Sequence, residues 1–370
     1  MITIRPYTGE HVSEVAAFNR RLGEKHREYQ FPESPVPGWL PRRESIPLYQ
    51  EFFVALEENA VRGGYILKPQ AFALNGDVRM VSGVRMTVSE GVINSRYAMV
   101  GVQLLKDALV RQPQLFGLGM GGFHRPIARL LKSLKWRLIA CPFFFRVVRP
   151  HNFLREIVPL RQNRSRRLAM DALAWSGLGW CGLAALRAVR GLRQPRQAGV
   201  TSQVVNDFGD WADSIWDRAV NNYSLIAVRN GIILNTLYPA SKEKFIRLQV
   251  LKHGAPIGWA VLLDTQMTNH NYFGNMRVGT VVDCLANPGS EAEVIASATR
   301  HLVRRGVDLI VSNQLHRDWC SSFVRAGYLK GPSNFLFAAS PSLTAGLDPF
   351  DTNIDRVHMT RGDGDGPIHL

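Results

Sequence analysis

Gly117-Leu118-Gly119-Met120-Gly121-Gly122 has the G-x-G-x-x-G spacing that brings bare backbone against a dinucleotide pyrophosphate. That chemistry needs the motif in the first turn of a βαβ unit, with an acidic residue about 20 positions on. Here position 142 is proline and its surroundings are apolar and basic, so the dinucleotide reading is rejected. Asp351, Asn353 and Asp355 have calcium-loop spacing, but Arg356 stands where such a loop turns on glycine and Gly362 where it takes glutamate. Cys141, Cys181, Cys284 and Cys320 lie far apart without C-x-x-C spacing, which offers neither a disulfide framework nor a zinc site. Reduced thiols and no metal are the expectation.

Positive charge is the stronger signal. The chain has 370 residues, 45 Lys and Arg against 30 Asp and Glu, and a net charge of +15. Between Arg125 and Arg196 stand 16 basic residues against only Glu156 and Asp171. So localised a block points to phosphates, on an anionic membrane or a nucleic acid. At its heart an apolar run, Leu168 to Val189, is interrupted by charge only at Asp171 and Arg187. Its tryptophans, Trp175 and Trp180, lie inside the apolar run rather than alternating with arginines, which argues against a nucleic-acid stacking surface. The run is about 20 residues long, enough for a membrane span. Arginines on both flanks give no inside-outside asymmetry, and Gly177, Gly179 and Gly182 weaken a straight helix. Its apolar residues lie all round, so it is buried either in protein or in lipid. The expectation is a helical segment or hairpin over Leu168–Val189 lying on the inner face of the cytoplasmic membrane, with the arginines of 161–196 on lipid phosphates; a buried inter-domain helix is the alternative. The N-terminus has no apolar secretory core, which predicts a cytoplasmic protein, peripheral on that membrane.

An apolar content of 46% and 20% charged residues are globular values, and the length suits two domains. Ile2–Tyr7 alternates as a strand, and Thr8 can cap a helix over 9–25. A proline-rich loop follows, from Pro32 to Pro47. Strands are predicted over 52–56, 64–73, 78–88, 115–120 and 143–148, with helices over 100–111 and 126–134. A second series has strands over 245–252, 257–263, 279–285, 307–312 and 335–339, with helices over 208–216, 290–305 and 317–326. The two series align. A spacing of 192 places Phe123-His124-Arg125 on Leu315-His316-Arg317, Trp136 on Tyr328 and Phe143-Phe144-Phe145 on Phe335-Leu336-Phe337. Upstream, Gly64-Tyr65-Ile66-Leu67 matches Gly258-Trp259-Ala260-Val261. A fold present twice explains both the repeated order and the register.

That order, opened by Ile4-Arg5-Pro6-Tyr7-Thr8-Gly9-Glu10-His11-Val12, resembles the GNAT (acyl-CoA N-acyltransferase) superfamily. Val228-Arg229-Asn230 followed by Leu234-Asn235-Thr236-Leu237-Tyr238 looks like a motif of FemAB-like acyltransferases of bacterial envelope and exopolysaccharide pathways. The resemblance implies an α/β fold of mixed α+β sheets, with two GNAT-like domains over 1–150 and 201–345. A basic apolar bridge over 151–200 joins them, and 346–370 is a tail. It implies acetyl-CoA or another acyl-CoA as cosubstrate and an amine-bearing acceptor. Donor phosphates would meet the helix start after the long strand, here Arg96, Val100, Gly101, Val102 and Gln103, where backbone amides and the helix dipole favour anions. Gly101 is the only glycine of that loop, a degraded match to the family pattern Q/R-x-x-G-x-G/A; Asn287-Pro288-Gly289-Ser290 is weaker still. Gly119 would bare the strand end beside pantetheine, and His124 takes the place of a donor-contacting asparagine. Amine attack needs a proton acceptor. Glu90 and, in the second half, Asp283 stand where the family's base would be. The family's acidic tyrosine is replaced by Leu131 and Phe323, so Tyr97 is the remaining candidate acid. The implied function is acyl transfer to an amine on an envelope sugar or lipid-linked intermediate. The alternative is a non-catalytic scaffold that keeps the duplicated fold.

Overall fold

The computed structural model describes residues 1–23, 29–161, 163–175 and 198–364. The apolar run beyond Trp175, and with it most of the expected membrane-docking segment, lies outside the described residues. Fifteen strands are present among the described residues: β1 (Ile2–Pro6), β2 (Glu51–Glu57), β3 (Ala60–Leu74), β4 (Asp77–Ser89), β5 (Leu115–Gly119), β6 (Arg137–Ala140), β7 (Phe143–Val147), β8 (Val200–Val204), β9 (Leu225–Ala227), β10 (Ile246–Lys252), β11 (Ala255–Gln266), β12 (Arg277–Ala286), β13 (Leu309–Asn313), β14 (Leu329–Gly331) and β15 (Leu336–Ala339). The helices used below are α1 (Val12–Leu22), α2 (Val100–Arg111), α3 (Pro126–Ser133), α4 (Pro150–Glu156), α5 (Arg164–Trp175), α6 (Asp210–Ala219), α7 (Gly231–Leu237), α8 (Glu291–Arg305) and α9 (Arg317–Arg325).

The strands form two mixed sheets of the same plan. One runs β1-β2-β3-β4-β5-β15-β6, with β9 added beside β3; the other, read in the matching direction, runs β8-β10-β11-β12-β13-β7-β14. In each, the fourth and fifth strands are parallel and the fifth and sixth antiparallel. The sixth strand is exchanged. β7 from the first half pairs with β13 and β14, and β15 from the second half pairs with β5 and β6. The compact units are accordingly 1–140 with 225–228 and 334–353, and 141–224 with 229–333 and 354–370. They are not the contiguous stretches 1–150 and 201–345. The reason is the repeat itself: 143–147 and 335–339 occupy equivalent positions, so their apolar patterns suit either sheet.

Period-2 alternation builds the first unit's two cores. Phe53, Ala55, Tyr65 and Leu67 face α2 and α3, packing with Val100, Leu104, Leu105 and Leu131. Phe52, Val54 and Ile66 face the other way, onto Val15, Phe18 and Leu22 of α1. α1 ends at Leu22 because Gly23 takes φ 69°, three residues short of the expected Lys25. In the second unit β12 is buried along almost its whole length, as expected for a strand covered on both faces. The exchanged strand β7 is anchored there by Phe144, whose ring stacks on Phe323 with centroids 5.0 Å apart.

Candidate functional site

In the first unit β4 and β5 pair only at Ser82–Leu115 and Gly83–Phe116. Beyond those rungs β4 continues to Ser89 and β5 to Gly119, so the strands part and leave a slot. A register shift on β4, between its pairings to Gly64 and Ile66, accompanies the parting. The slot opens at the C-terminal edge of the parallel pair, the edge where open α/β sheets receive ligands. β5 ends in a run of positive φ, Gly119 (99°), Met120 (64°), Gly121 (73°) and Gly122 (109°). The G-x-G-x-x-G spacing thus encodes a tight left-handed turn.

α2 begins at the same edge. The first of its amides bonded back is Gln103 N–H, to Met99 O at 3.1 Å. Those of Val100, Gly101 and Val102 are the unsatisfied first-turn donors every helix has, and no acidic side chain stands in that turn. A Cβ on Gly101 would meet only Leu130 and Ser89, both at 3.7 Å, so the fold itself does not require the glycine. Gln103, His124 and the Arg96 side chain are exposed around this edge. The seven residues expected to hold a donor therefore fall at one end of one sheet.

Glu90 and Tyr97 are brought together by a network that sequence reasoning did not find. Glu90 is buried, with Arg21 and Arg62 each 3.1 Å from its carboxylate. Arg62 also pairs with Glu57 at 3.2 Å, and its guanidinium lies 4.5 Å from the centroid of the Tyr97 ring. Tyr97 donates its hydroxyl proton to Glu57 at 2.8 Å, which raises the tyrosine pKa and lowers that of Glu57. Arg96 reaches the other oxygen of Glu57 at 3.3 Å. Two carboxylates and three arginines thus tie α1, β2, β3 and the turn before α2 into one brace. Arg21, Glu57 and Arg62 carry no local motif; only the folded sheet places them around Glu90.

Asp283 lies in the second unit, in the corresponding parting of β12 and β13. These strands pair from Val278–Leu309 to Thr280–Val311 and then separate. Here the slot is filled by residues 357–363. Leu315 N–H donates to Met359 O at 3.2 Å, and Gln314 forms a bridge with Thr360. On the other side His358 Nε2 meets Cys284 O at 3.1 Å and Thr360 Oγ1 donates to Asp283 at 3.1 Å. Arg229, fully buried, lies between Asp283 (2.8 Å) and Asp363 (2.5 Å), and Tyr238 donates to Asp283 at 2.8 Å. A Cβ on Gly362 would overlap the Tyr238 hydroxyl. Burial pushes the Asp283 pKa up against the pull of Arg229. The FemAB-like stretch is architectural here: besides Arg229 and Tyr238, Asn230 caps α7 and Asn235 bonds both backbone groups of Phe208. The helix start equivalent to that of α2 differs in charge. α8 carries Glu291 and Glu293 in its first turn, and the Glu291 carboxylate already accepts Gly289 N–H at 3.2 Å. Among the described residues no cluster of His, Cys, Asp or Glu could hold a metal, and no helix is long and apolar enough to cross a membrane.

No family model matches the chain and no curated protein matches it. Solved structures do. A protein of Enterococcus faecalis V583 described as a probable N-acyltransferase is similar over 94% of this chain and 74% of its own, with TM-score 0.53 at 8% identity. A GCN5-related N-acetyltransferase from Anabaena variabilis ATCC 29413 is similar over 91% of this chain and 72% of its own, with TM-score 0.52 at 9% identity. Sequences so far apart share backbone plan rather than side chains. The chain has a GNAT-type fold, laid out in two sheets of one plan with an exchanged strand.

Proposed function

We propose that the chain is an N-acyltransferase with one donor site, in the first unit. The observation that carries this reading is the α2 start: free first-turn amides, no acidic side chain, and a parted strand pair at the same edge. Phosphate oxygens of acyl-CoA accept from Val100, Gly101 and Val102 N–H, and the pantetheine arm lies between β4 and β5. The acceptor amine attacks the thioester carbonyl carbon. The C–N bond forms, the C–S bond breaks, and the amine proton ends on the departing thiolate. Glu90 and Tyr97 serve this step by positioning, since both carboxylate oxygens of Glu90 accept from guanidinium groups and the Tyr97 hydroxyl already donates to Glu57. Asp283 is a structural carboxylate. In the second unit the Glu291 and Glu293 charges and the 357–363 segment leave a donor no place.

Support for an amine acceptor comes from the fold; support for an envelope or lipid-linked one comes only from the resemblance of 228–238. The saturated Glu90 also favours a second reading, in which the fold binds donor without transferring. Calorimetric titration with acetyl-CoA tests the first claim, with one site per chain expected. Thiol release during a screen of amine acceptors tests the second. Binding without thiol release for any amine leaves the scaffold reading; no binding of any acyl thioester ends both.

A further inference from the structure

The donor edge of the first unit is rimmed by large apolar side chains left in solvent. Val92 and Ile93, in the loop after β4, are 39% and 41% exposed; Met99, just before α2, is 62% exposed; Phe123, in the turn after β5, is 55% exposed. Three of them follow β4 and one follows β5, and these parallel strands end at the same edge of the sheet. Exposed apolar side chains gathered at one edge of a sheet mark a surface that a partner, a membrane or a ligand covers, and the charge beside them chooses among these. Next to this rim α3 turns its basic face outward, with Arg129 and Lys132 exposed. α3 packs against the start of α2, since Leu130 lies 3.7 Å from where a Gly101 Cβ would be. No acidic residue occurs anywhere between Asp107 and Glu156. An apolar centre with a one-sign charged flank is the composition of a protein interface steered by charge.

We infer that the natural acyl donor is an acidic carrier protein bearing the acyl group on a phosphopantetheine arm. This rests on the donor site proposed above and names who fills it. The arm's phosphodiester takes the α2 amides and its thioester reaches the slot, while the carrier body covers Val92, Ile93, Met99 and Phe123 and sets its acidic residues against Arg129 and Lys132. A free nucleotide has one small ring system and covers part of this edge; a folded carrier covers all of it. In the transfer the carbonyl passes from the arm's sulfur to the acceptor nitrogen. The thiol stays on the carrier and takes the proton the amine loses.

The test compares donors on the full chain. A recombinant acyl carrier protein, loaded as acetyl and palmitoyl thioesters, is set against acetyl-CoA and palmitoyl-CoA, with binding followed calorimetrically at low and high salt. The expected result is tighter binding of the loaded carrier than of the matching acyl-CoA, weakened about tenfold by salt. Reversal of both charges (Arg129→Glu with Lys132→Glu) is expected to weaken the carrier about tenfold while changing acyl-CoA less than about threefold, and Met99→Ser to act in the same direction. All three positions are exposed, so the variants fold. A carrier that does not bind while acyl-CoA does, or charge reversal that weakens both donors equally, overturns the inference and leaves the donor site standing. Failure of both donors to bind removes the donor site itself.

Discussion

Two helices of this chain begin in the same topological place and end up as opposites. α2 and α8 each follow the fourth strand of a seven-strand plan and each start where that strand parts from the fifth. α2 offers open amides without an acid; α8 offers two glutamates, one of them already on a loop amide. The slot beside α2 is rimmed by exposed apolar residues, while the slot beside α8 holds the chain's own residues 357–363. The same plan thus ends in two ways: at the proposed donor edge of the first unit the parted strands stay open, and in the second a buried polar core fills the gap. Internal ion networks follow the same division. In the second unit the Arg229 pairs are wholly buried; in the first, Arg62 and Glu57 are each about one-fifth exposed.

The largest expected effect comes from breaking that buried network. Arg229→Met leaves Asp283 and Asp363 facing each other without a cation, at a cost of about 3–5 kcal/mol. Arg62→Met in the first unit is expected to cost less, about 1–2 kcal/mol, because Arg62 and Glu57 are partly exposed and the buried Glu90 keeps Arg21 as a partner. Chemical denaturation of the two variants checks the ranking; equal losses would mean that the two networks are not the contrast they look.

Next in size is donor affinity. Gly101→Glu gives α2 the first-turn charge that α8 has, and is expected to weaken acetyl-CoA about 100-fold, since like charges brought together cost several kcal/mol. The reciprocal change, Glu291→Gln with Glu293→Gln, is expected to leave calorimetric stoichiometry at one, because 357–363 still fill the second slot. A second binding event in that variant would show that charge alone had closed it.

Much of this contrast was legible in the sequence, in a particular way. Period-2 runs such as Phe52–Leu56 and helical stripes such as Val12, Val15 and Leu22 depend on neighbours a few residues away, and so the longer strands and helices fell near their expected spans, while the short β6, β9, β14 and α7 were not read. The repeated order of elements was legible for the same reason. Strand exchange was not legible, because Phe143–Phe145 and Phe335–Phe337 answer the same local demands and only the tertiary fold chooses between sheets. The proposed donor edge draws on Arg96–Gln103, a contiguous segment that sequence can single out. The brace around Glu90 was not, because Arg21, Glu57 and Arg62 are joined to it by pairings across 28 to 69 residues. Nor could Asp283 be told from a catalytic carboxylate, since its partners Arg229 and Asp363 lie 54 and 80 residues away in the chain.

Acid sensitivity sharpens the contrast at a smaller scale. His316 and His358 are buried in the second unit, and burial lowers both to about 4. Their unfolded values lie near 6.5. Because the folded values are depressed, the unfolded chain binds more protons between the two, so stability is full above about pH 6.5 and is lost as pH falls toward 4. The loss is expected to be about 1–2 kcal/mol on going from pH 6.5 to 5.5. Asp283, raised by burial, titrates with the opposite sign. His358→Gln, which keeps a donor to Cys284 O, isolates the histidine part. Urea melts at pH 7.5, 6.5 and 5.5 should show a shallower pH slope in that variant, and an unchanged slope would remove His358 from the account.

The smallest effect separates what Gly101 does for the fold from what it does for a ligand. Its backbone is not in the left-handed region, and an added methyl would find Leu130 and Ser89 at ordinary contact distance. Alanine is the better helix former by up to about 1 kcal/mol, so Gly101→Ala is expected to stabilise the first unit by roughly 0.5 kcal/mol at this terminal position. The methyl points toward Leu130 and Ser89, and the amides stay open. Acetyl-CoA affinity is therefore expected to change less than about threefold, in contrast to the loss in Gly101→Glu. A large loss of affinity in the alanine variant would show that a donor lies against the Cα itself, and that close approach, rather than the absence of charge, is what distinguishes the start of α2 from that of α8.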